Sequence, residues 1–210
     1  IDAGLDSVLP PALAVDLDGQ PRRFDGPPVS ANLVDIGAYE SRKVLPVAVA
    51  GGPYAGFEGS PVALDATGSS GDAPQSYAWD CTGDGTVDQT LATPTGASCL
   101  YPDNGSFSVH LLLTDGEGIS ATAQSSATIA NVAPTVTAPG DQAAQAAVAT
   151  LFTLGSFTDP GADAPWTVAV NWGDSTPPTQ FTQTSAGPIA AQSHTYAARG
   201  EYVVTVTVTD

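Results

Sequence analysis

The sequence predicts an all-β chain: two tandem β-sandwiches behind a short N-terminal segment. Three observations carry this. A pattern occurs twice, because Tyr101, Gly105, Phe107 and Val109 return at the same offsets as Tyr196, Gly200, Tyr202 and Val204, 95 residues later. A turn containing tryptophan precedes each copy, Trp79-Asp80-Cys81-Thr82-Gly83-Asp84-Gly85 in the first and Trp172-Gly173-Asp174 in the second. Short apolar and β-branched runs recur between stretches rich in turn residues, with 22 Gly and 18 Pro and no Gly-X-Y period. A repeat of roughly 80–90 residues is the size of one small sandwich.

The elements follow in order. Residues 1–46 are too short, and too rich in Pro and Asp, to bury a core of their own. The first module, 47–131, is expected to form strands near 62–65, 76–80, 107–113 and 119–129. In the third of these, alternation places Phe107, Val109, Leu111 and Leu113 on one face, with Ser108, His110 and Leu112 on the other. The junction Ala130-Asn131-Val132-Ala133-Pro134 is short, and its proline stiffens it. The second module, 132–210, offers strands near 148–154, 166–172, 179–184 and 202–209. Its last strand alternates Val204, Val206 and Val208 against Val203, Thr205, Thr207 and Thr209, the mark of a half-buried antiparallel strand. Residues 142–148 are Ala-rich but too short to be read as a helix.

Tyr101 and Tyr196 stand just ahead of each late strand. In Ig-like sandwiches this is the place of the tyrosine corner, whose hydroxyl ties back to the main chain. Trp79 and Trp172 read as core tryptophans.

Charge excludes several functions. Five Lys and Arg face 22 Asp and Glu, for a formal charge of −17, and residues 47–131 contain nine acids and no Lys or Arg. Nucleic acid requires basic contacts with phosphate, and an anionic membrane surface would repel this chain. No run of 18 apolar residues offers a membrane span. The imbalance suits calcium-rich or saline surroundings, or a surface tuned against aggregation. The first residue is Ile1 and the last is Asp210, directly after a strand pattern, so the chain is expected to be part of something larger.

Cys81 and Cys99 are the only cysteines. Paired, they would close a loop worth about 3 kcal/mol by chain entropy and would imply an exported protein; the alternative is two buried thiols. Neither CxxC redox spacing nor zinc spacing is present.

The residues carry a family resemblance. Tyr77-Ala78-Trp79-Asp80, Gly83-Asp84-Gly85, Tyr101, Gly105, Phe107 and Leu113-Thr114-Asp115-Gly116-Glu117-Gly118 resemble a PKD (polycystic kidney disease) domain. So do Asn171-Trp172-Gly173-Asp174, His194-Thr195-Tyr196, Gly200, Tyr202 and Val206-Thr207-Val208-Thr209-Asp210. Ser175 stands where the family's turn usually has Gly. The resemblance covers about 47–210 and implies two Ig-like (PKD-type) sandwiches. In 1–46, Asp16-Leu17-Asp18-Gly19-Gln20-Pro21-Arg22 and Val34-Asp35-Ile36-Gly37-Ala38-Tyr39-Glu40 resemble the C-terminal end of bacterial parallel β-helix surface proteins. That implies a last solenoid coil ahead of the sandwiches.

The chemical candidate is Asp80-Cys81-Thr82-Gly83-Asp84-Gly85-Thr86-Val87-Asp88, whose alternating oxygens and sixth-place Gly match the start of a calcium loop. The bidentate Glu expected at place twelve is Leu91. Some PKD domains bind calcium, and that resemblance puts the ligands on Ser70, Asp80 and Asp115, with Asp72 close by. Asp84 and Asp88 complete the candidate calcium set, and Asp159, Asp174 and Asp210 form a weaker second one. The competing reading makes these aspartates β-turn residues accepting backbone N–H bonds.

Nothing reads as an enzyme. His110 and His194 lie in different modules, with no Ser or Cys at triad spacing and no phosphate loop leading into a helix.

The functional reading is a non-catalytic extracellular module. It would serve as a semi-rigid stalk or adhesion segment of a larger bacterial surface protein, meeting protein or polysaccharide at the cell surface. One alternative is self-assembly by strand exchange through 34–39 or 202–210. Another is a carbohydrate-binding accessory using Tyr54, Phe57, Trp166 and Phe181.

Overall fold

The computed structural model describes residues 2–4, 34–35 and 44–210, and among these there is no helix. Two short strands, β1 (Asp2–Gly4) and β2 (Val34–Asp35), pair antiparallel. The rest of the segment expected to end a β-helix lies outside the described residues up to residue 43.

The first module contains β3 (Tyr54–Phe57), β4 (Pro61–Asp65), β5 (Pro74–Asp80), β6 (Gln89–Leu91), β7 (Thr95–Leu100), β8 (Gly105–Asp115) and β9 (Ser120–Ala130). One sheet has the order β3-β9-β8-β5-β6, with β3 parallel to β9, and β4 pairs with β7 in the other. The alternation read in β8 is realised: Val109, Leu111 and Leu113 are buried and Phe107 packs beside them. Val62 and Leu64 of β4 and Ala97 and Cys99 of β7 join the same core, so the two sheets face each other across it. Cys81, one residue past β5, is bonded to Cys99 of β7 with Cα atoms 5.8 Å apart. The disulfide expected from the sequence therefore staples one sheet to the other.

The second module contains β10 (Thr135–Thr137), β11 (Thr150–Phe152), β12 (Ser156–Thr158), β13 (Trp166–Asn171), β14 (Thr179–Gln183), β15 (Gly187–Pro188), β16 (Gln192–His194) and β17 (Thr205–Thr209). Its sheets run β14-β13-β17, β10-β12-β15 and β11-β16. A second buried cluster, separate from the first, gathers Phe152, Leu154, Phe157, Trp166, Val168, Val170, Trp172, Ile189, Tyr196 and Val208. The last strand begins three residues later than its alternation suggests. Tyr202 leaves the ladder to stack on Tyr196, with ring centroids 4.1 Å apart, and Val203 is 83% exposed.

Both tyrosine corners are present, and they reveal a shift in register. The Tyr101 hydroxyl donates to the Cys81 carbonyl at 3.1 Å, and the Tyr196 hydroxyl donates to the Trp172 carbonyl at 3.1 Å. Trp79 stands opposite Leu111, whereas Val170 stands opposite Val206, the counterpart of Leu111 in the repeat. Cys81 and Trp172 are thus equivalent, and Trp79 corresponds to Val170. Residues two apart on a strand share a face, so the core accepts an indole at either place. Trp79 and Trp172 are both 1% exposed. Burying about 150–250 Å² at ~25 cal/mol/Å² gives each an upper bound of roughly 4–6 kcal/mol.

Candidate functional site

Three places gather polar groups: the turn after β5, the His194 corner and the junction between modules. In the turn after β5, the Asp80 carboxylate accepts backbone N–H bonds from Thr82 (3.1 Å), Gly83 (2.7 Å) and Gly85 (2.9 Å). Burial alone would raise this carboxyl. Backbone N–H groups of Gly85, Gly83, Thr82 and Asp84 overcome that effect and hold it below the ordinary carboxylate range. Asp84 accepts from Thr86 N–H at 2.7 Å, and Asp88 accepts from Cys81 N–H at 2.7 Å. The loop is a ladder of side-chain-to-backbone turns, with the sequence's Asp and Gly spaced to make them.

The other residues named for calcium lie apart from this ladder. Ser70 pairs by its main chain with Val47, and Asp72 accepts from Val44 N–H at 3.1 Å. Asp115 is 3% exposed; its Oδ1 accepts from Glu117 and Ile119 N–H at 2.9 and 2.8 Å. These six residues contribute to no group of three acidic ligand atoms within 4.8 Å among the described residues.

In the second module, Asp174 is engaged elsewhere. It accepts from Thr176, and its Oδ2 lies 2.7 Å from His194 Nε2. The Thr176 hydroxyl first, and the His194 contact after it, draw the Asp174 carboxyl down to about 2 against the effect of desolvation. The His194 ring stacks on Trp172, with centroids 4.5 Å apart and planes 4° from parallel. His194 thus packs a structural corner, whereas His110 lies within β8, partly exposed, with its Nε2 2.9 Å from Ser108 Oγ.

Glu58 is the residue that reading the sequence missed. It directly follows β3 in the first module and is 0% exposed. Glu58 N–H donates to the Ala130 carbonyl at 3.2 Å, and Glu58 Oε1 accepts from Val132 N–H at 2.7 Å. Its Oε2 is buried and has no partner. The 159–163 loop of the second module faces this carboxylate. A Cβ on Gly161 would sit 2.6 Å from Glu58 Cδ and against Asp163 Oδ2, so the Gly161 backbone lies directly against both carboxylates.

Ligand atoms of Glu58, Asp159 and Asp163 all lie within 4.8 Å of one another. Asp159 accepts from Gly161 N–H at 3.0 Å and from Trp166 Nε1–H at 2.7 Å. Asp163 Oδ2 is a second buried oxygen without a partner. Desolvation, then repulsion from Glu58, Asp159, Asp103 and Asp210, raises the Asp163 carboxyl to about 6. Asn131 adds a neutral bridge, accepting from Asn104 Nδ2 at 3.3 Å and donating to Asp210 Oδ2 at 2.7 Å. Of the weaker candidate set, Asp159 and Asp210 therefore border the junction while Asp174 serves the His194 corner.

The four rings considered for carbohydrate do not form a platform. Trp166 is buried, Phe181 packs on the second core, and Tyr54 is held by an Asp65 N–H bond at 3.0 Å. Phe57 alone of the four is exposed, at 57%. No helix among the described residues is long and apolar enough to cross a membrane.

The PKD domain family matches residues 43–130 and again 131–210, and no catalytic domain is identified. No curated protein matches the chain. Among solved structures, one similar chain comes from work on the promiscuous specificity of carbohydrate-binding modules of the β-sandwich superfamily. It is 13% identical, with a TM-score of 0.37, over 80% of this chain and 85% of that one. Another comes from the fibronectin(III)-like modules of Clostridium thermocellum CbhA, 17% identical with a TM-score of 0.36, over 77% of this chain and 85% of that one. Likenesses of that depth say nothing about what this chain binds.

Proposed function

The chain belongs to the PKD domain family, and we propose that its two modules act as a non-catalytic, semi-rigid stalk or adhesion segment of a larger secreted or surface protein. The observation that carries this is the bonded junction. Only four residues separate β9 from β10, and two of them are held by side chains of the flanking modules: Val132 by Glu58, and Asn131 by Asn104 and Asp210. A flexible linker would leave these groups to water. The Cys81–Cys99 disulfide fits an oxidising, extracellular setting, and the charge of −17 fits a surface kept from self-association. Partners in this role are protein or polysaccharide at a cell surface.

Sedimentation velocity over a concentration series tests the reading. An elongated monomer at every concentration is the expected result. Species that grow with concentration would favour strand-exchange assembly instead.

A further inference from the structure

We infer that the junction carboxylates Glu58, Asp159 and Asp163 form a calcium site to which both modules contribute. Glu58 comes from the first module and the two aspartates come from one loop of the second. Three acids close together are not in themselves a site. Here the independent observation is Glu58: it is 0% exposed, it lies against the Gly161 backbone, and its Oε2 has no hydrogen-bond partner. Buried carboxylates are stable when they are paired or when they coordinate a metal.

The pairing groups available to this carboxylate are few. Arg199 is the single Lys or Arg in residues 44–210, and the junction's hydrogen bonds come from amides: Val132 N–H to Glu58, Gly161 N–H to Asp159 and Asn131 to Asp210. Asp163 Oδ2, likewise buried and unpartnered, faces the same place. A cation answers both orphans at once.

Geometry and ligand type select the ion. The set is all oxygen, which excludes soft metals and favours calcium or magnesium. The ligand atoms all lie within 4.8 Å of one another, close enough for one ion to reach all three. Calcium takes its oxygen ligands at roughly 2.4 Å. Calcium also accepts irregular geometry with water completing its shell, whereas magnesium demands a near-ideal octahedron. A site with three carboxylates on loops, at an edge that also holds Asp103 and Asp210, belongs with the extracellular modules that bind calcium at a Kd on the order of 10⁻⁴ to 10⁻³ M.

The inference rests on the chemistry of the junction and does not need the stalk reading, since a pair of modules with any task could share an ion. The test uses the full chain stripped with chelator. Calcium chloride is titrated by calorimetry, and thermal unfolding is recorded with calcium and with chelator. One calcium per chain and a rise in Tm are expected.

The variant pair Glu58→Gln and Asp163→Asn should weaken binding at least about 10-fold. Because it also removes unpaired buried charge, it should unfold no earlier than the parent in chelator. That second readout separates a lost ligand from a damaged fold. Asp80→Asn should leave the calcium response in place.

Three results would overturn the assignment. The folded parent could show neither heat nor a Tm change up to about 10 mM calcium, some ten times the weakest Kd expected. The Glu58/Asp163 pair could retain the parent's affinity. Or Asp80→Asn could abolish the response.

Discussion

Reducing the Cys81–Cys99 bond should lower the stability of the first module and leave the second nearly unchanged. The bond spans 18 residues of sequence and joins β7 to the end of β5, and so ties opposing sheets. A closed loop of that length restricts the unfolded chain by about 3 kcal/mol. For a module of this size, each kcal/mol moves Tm by roughly 4–8 °C, so the first module should melt about 12–24 °C earlier under reductant. The second module has its own buried cluster around Trp172 and Val170, which shares no residue with the first. Its transition should move only through the hydrogen bonds at the junction. Scanning calorimetry with and without reductant reads both transitions, and hydrogen exchange at Leu111 and Val170 assigns them. Cys81→Ala with Cys99→Ala should reproduce the effect and add a small packing loss, since the two residues are 6% and 1% exposed. A shift of the first module below about 5 °C, or equal shifts of both, would refute the reasoning, because neither is compatible with a loop constraint confined to one core.

Other consequences are equally direct. Tyr101→Phe and Tyr196→Phe each remove a 3.1 Å hydrogen bond to a buried main-chain carbonyl, and each should cost about 1–3 kcal/mol in urea unfolding. Asp174, drawn down to about 2 by Thr176 and His194, contributes stability that is complete above the unfolded value near pH 3.9 and lost as pH falls through about 2. Asp174→Asn should therefore flatten the fall of the second module's Tm across that acid window, and an unchanged profile would count against the contact. Gly59 has φ +66° and a Cβ there would meet Pro160 Cβ at 2.6 Å, while Gly85 has φ +88° with open space around it. Both Gly→Ala changes pay roughly 1–2 kcal/mol for a left-handed backbone. Gly59→Ala should lose more than Gly85→Ala, and the excess measures the contact between modules.

The fold was legible in proportion to how local its signals are. Alternation along β8 exposes its buried face in the sequence, and the repeated tyrosines mark two corners whose hydroxyls do bond back to the main chain. The shift between Trp79 and Trp172 was not legible, since residues two apart share a face and only the pairing with Leu111 and Val206 distinguishes them. Short strands such as β6, β12 and β15 are two or three residues long, with at most one apolar side chain apiece besides proline, too brief for a period to register.

The candidate site was less legible still. Asp80-Cys81-Thr82-Gly83-Asp84-Gly85 has the composition of a metal loop because Asx turns draw on the same residues, and here the carboxylate is engaged by main-chain N–H groups. Glu58 gives no local cue. Its neighbours in space, Asp159 and Asp163, lie about a hundred residues away in the chain, and only the meeting of the two modules brings them together. The Asp159-Pro160-Gly161-Ala162-Asp163 spacing was the one visible trace, two acids four residues apart around a turn.

The central claim is that the two modules are held as one unit by the 130–134 junction. Spin labels introduced by Thr122→Cys in β9 and Thr182→Cys in β14, both at exposed positions, report the distance between the modules. A single narrow distance distribution, the same at all protein concentrations, is the result this account predicts. A broad distribution, of the kind a flexible linker between the modules allows, would contradict it.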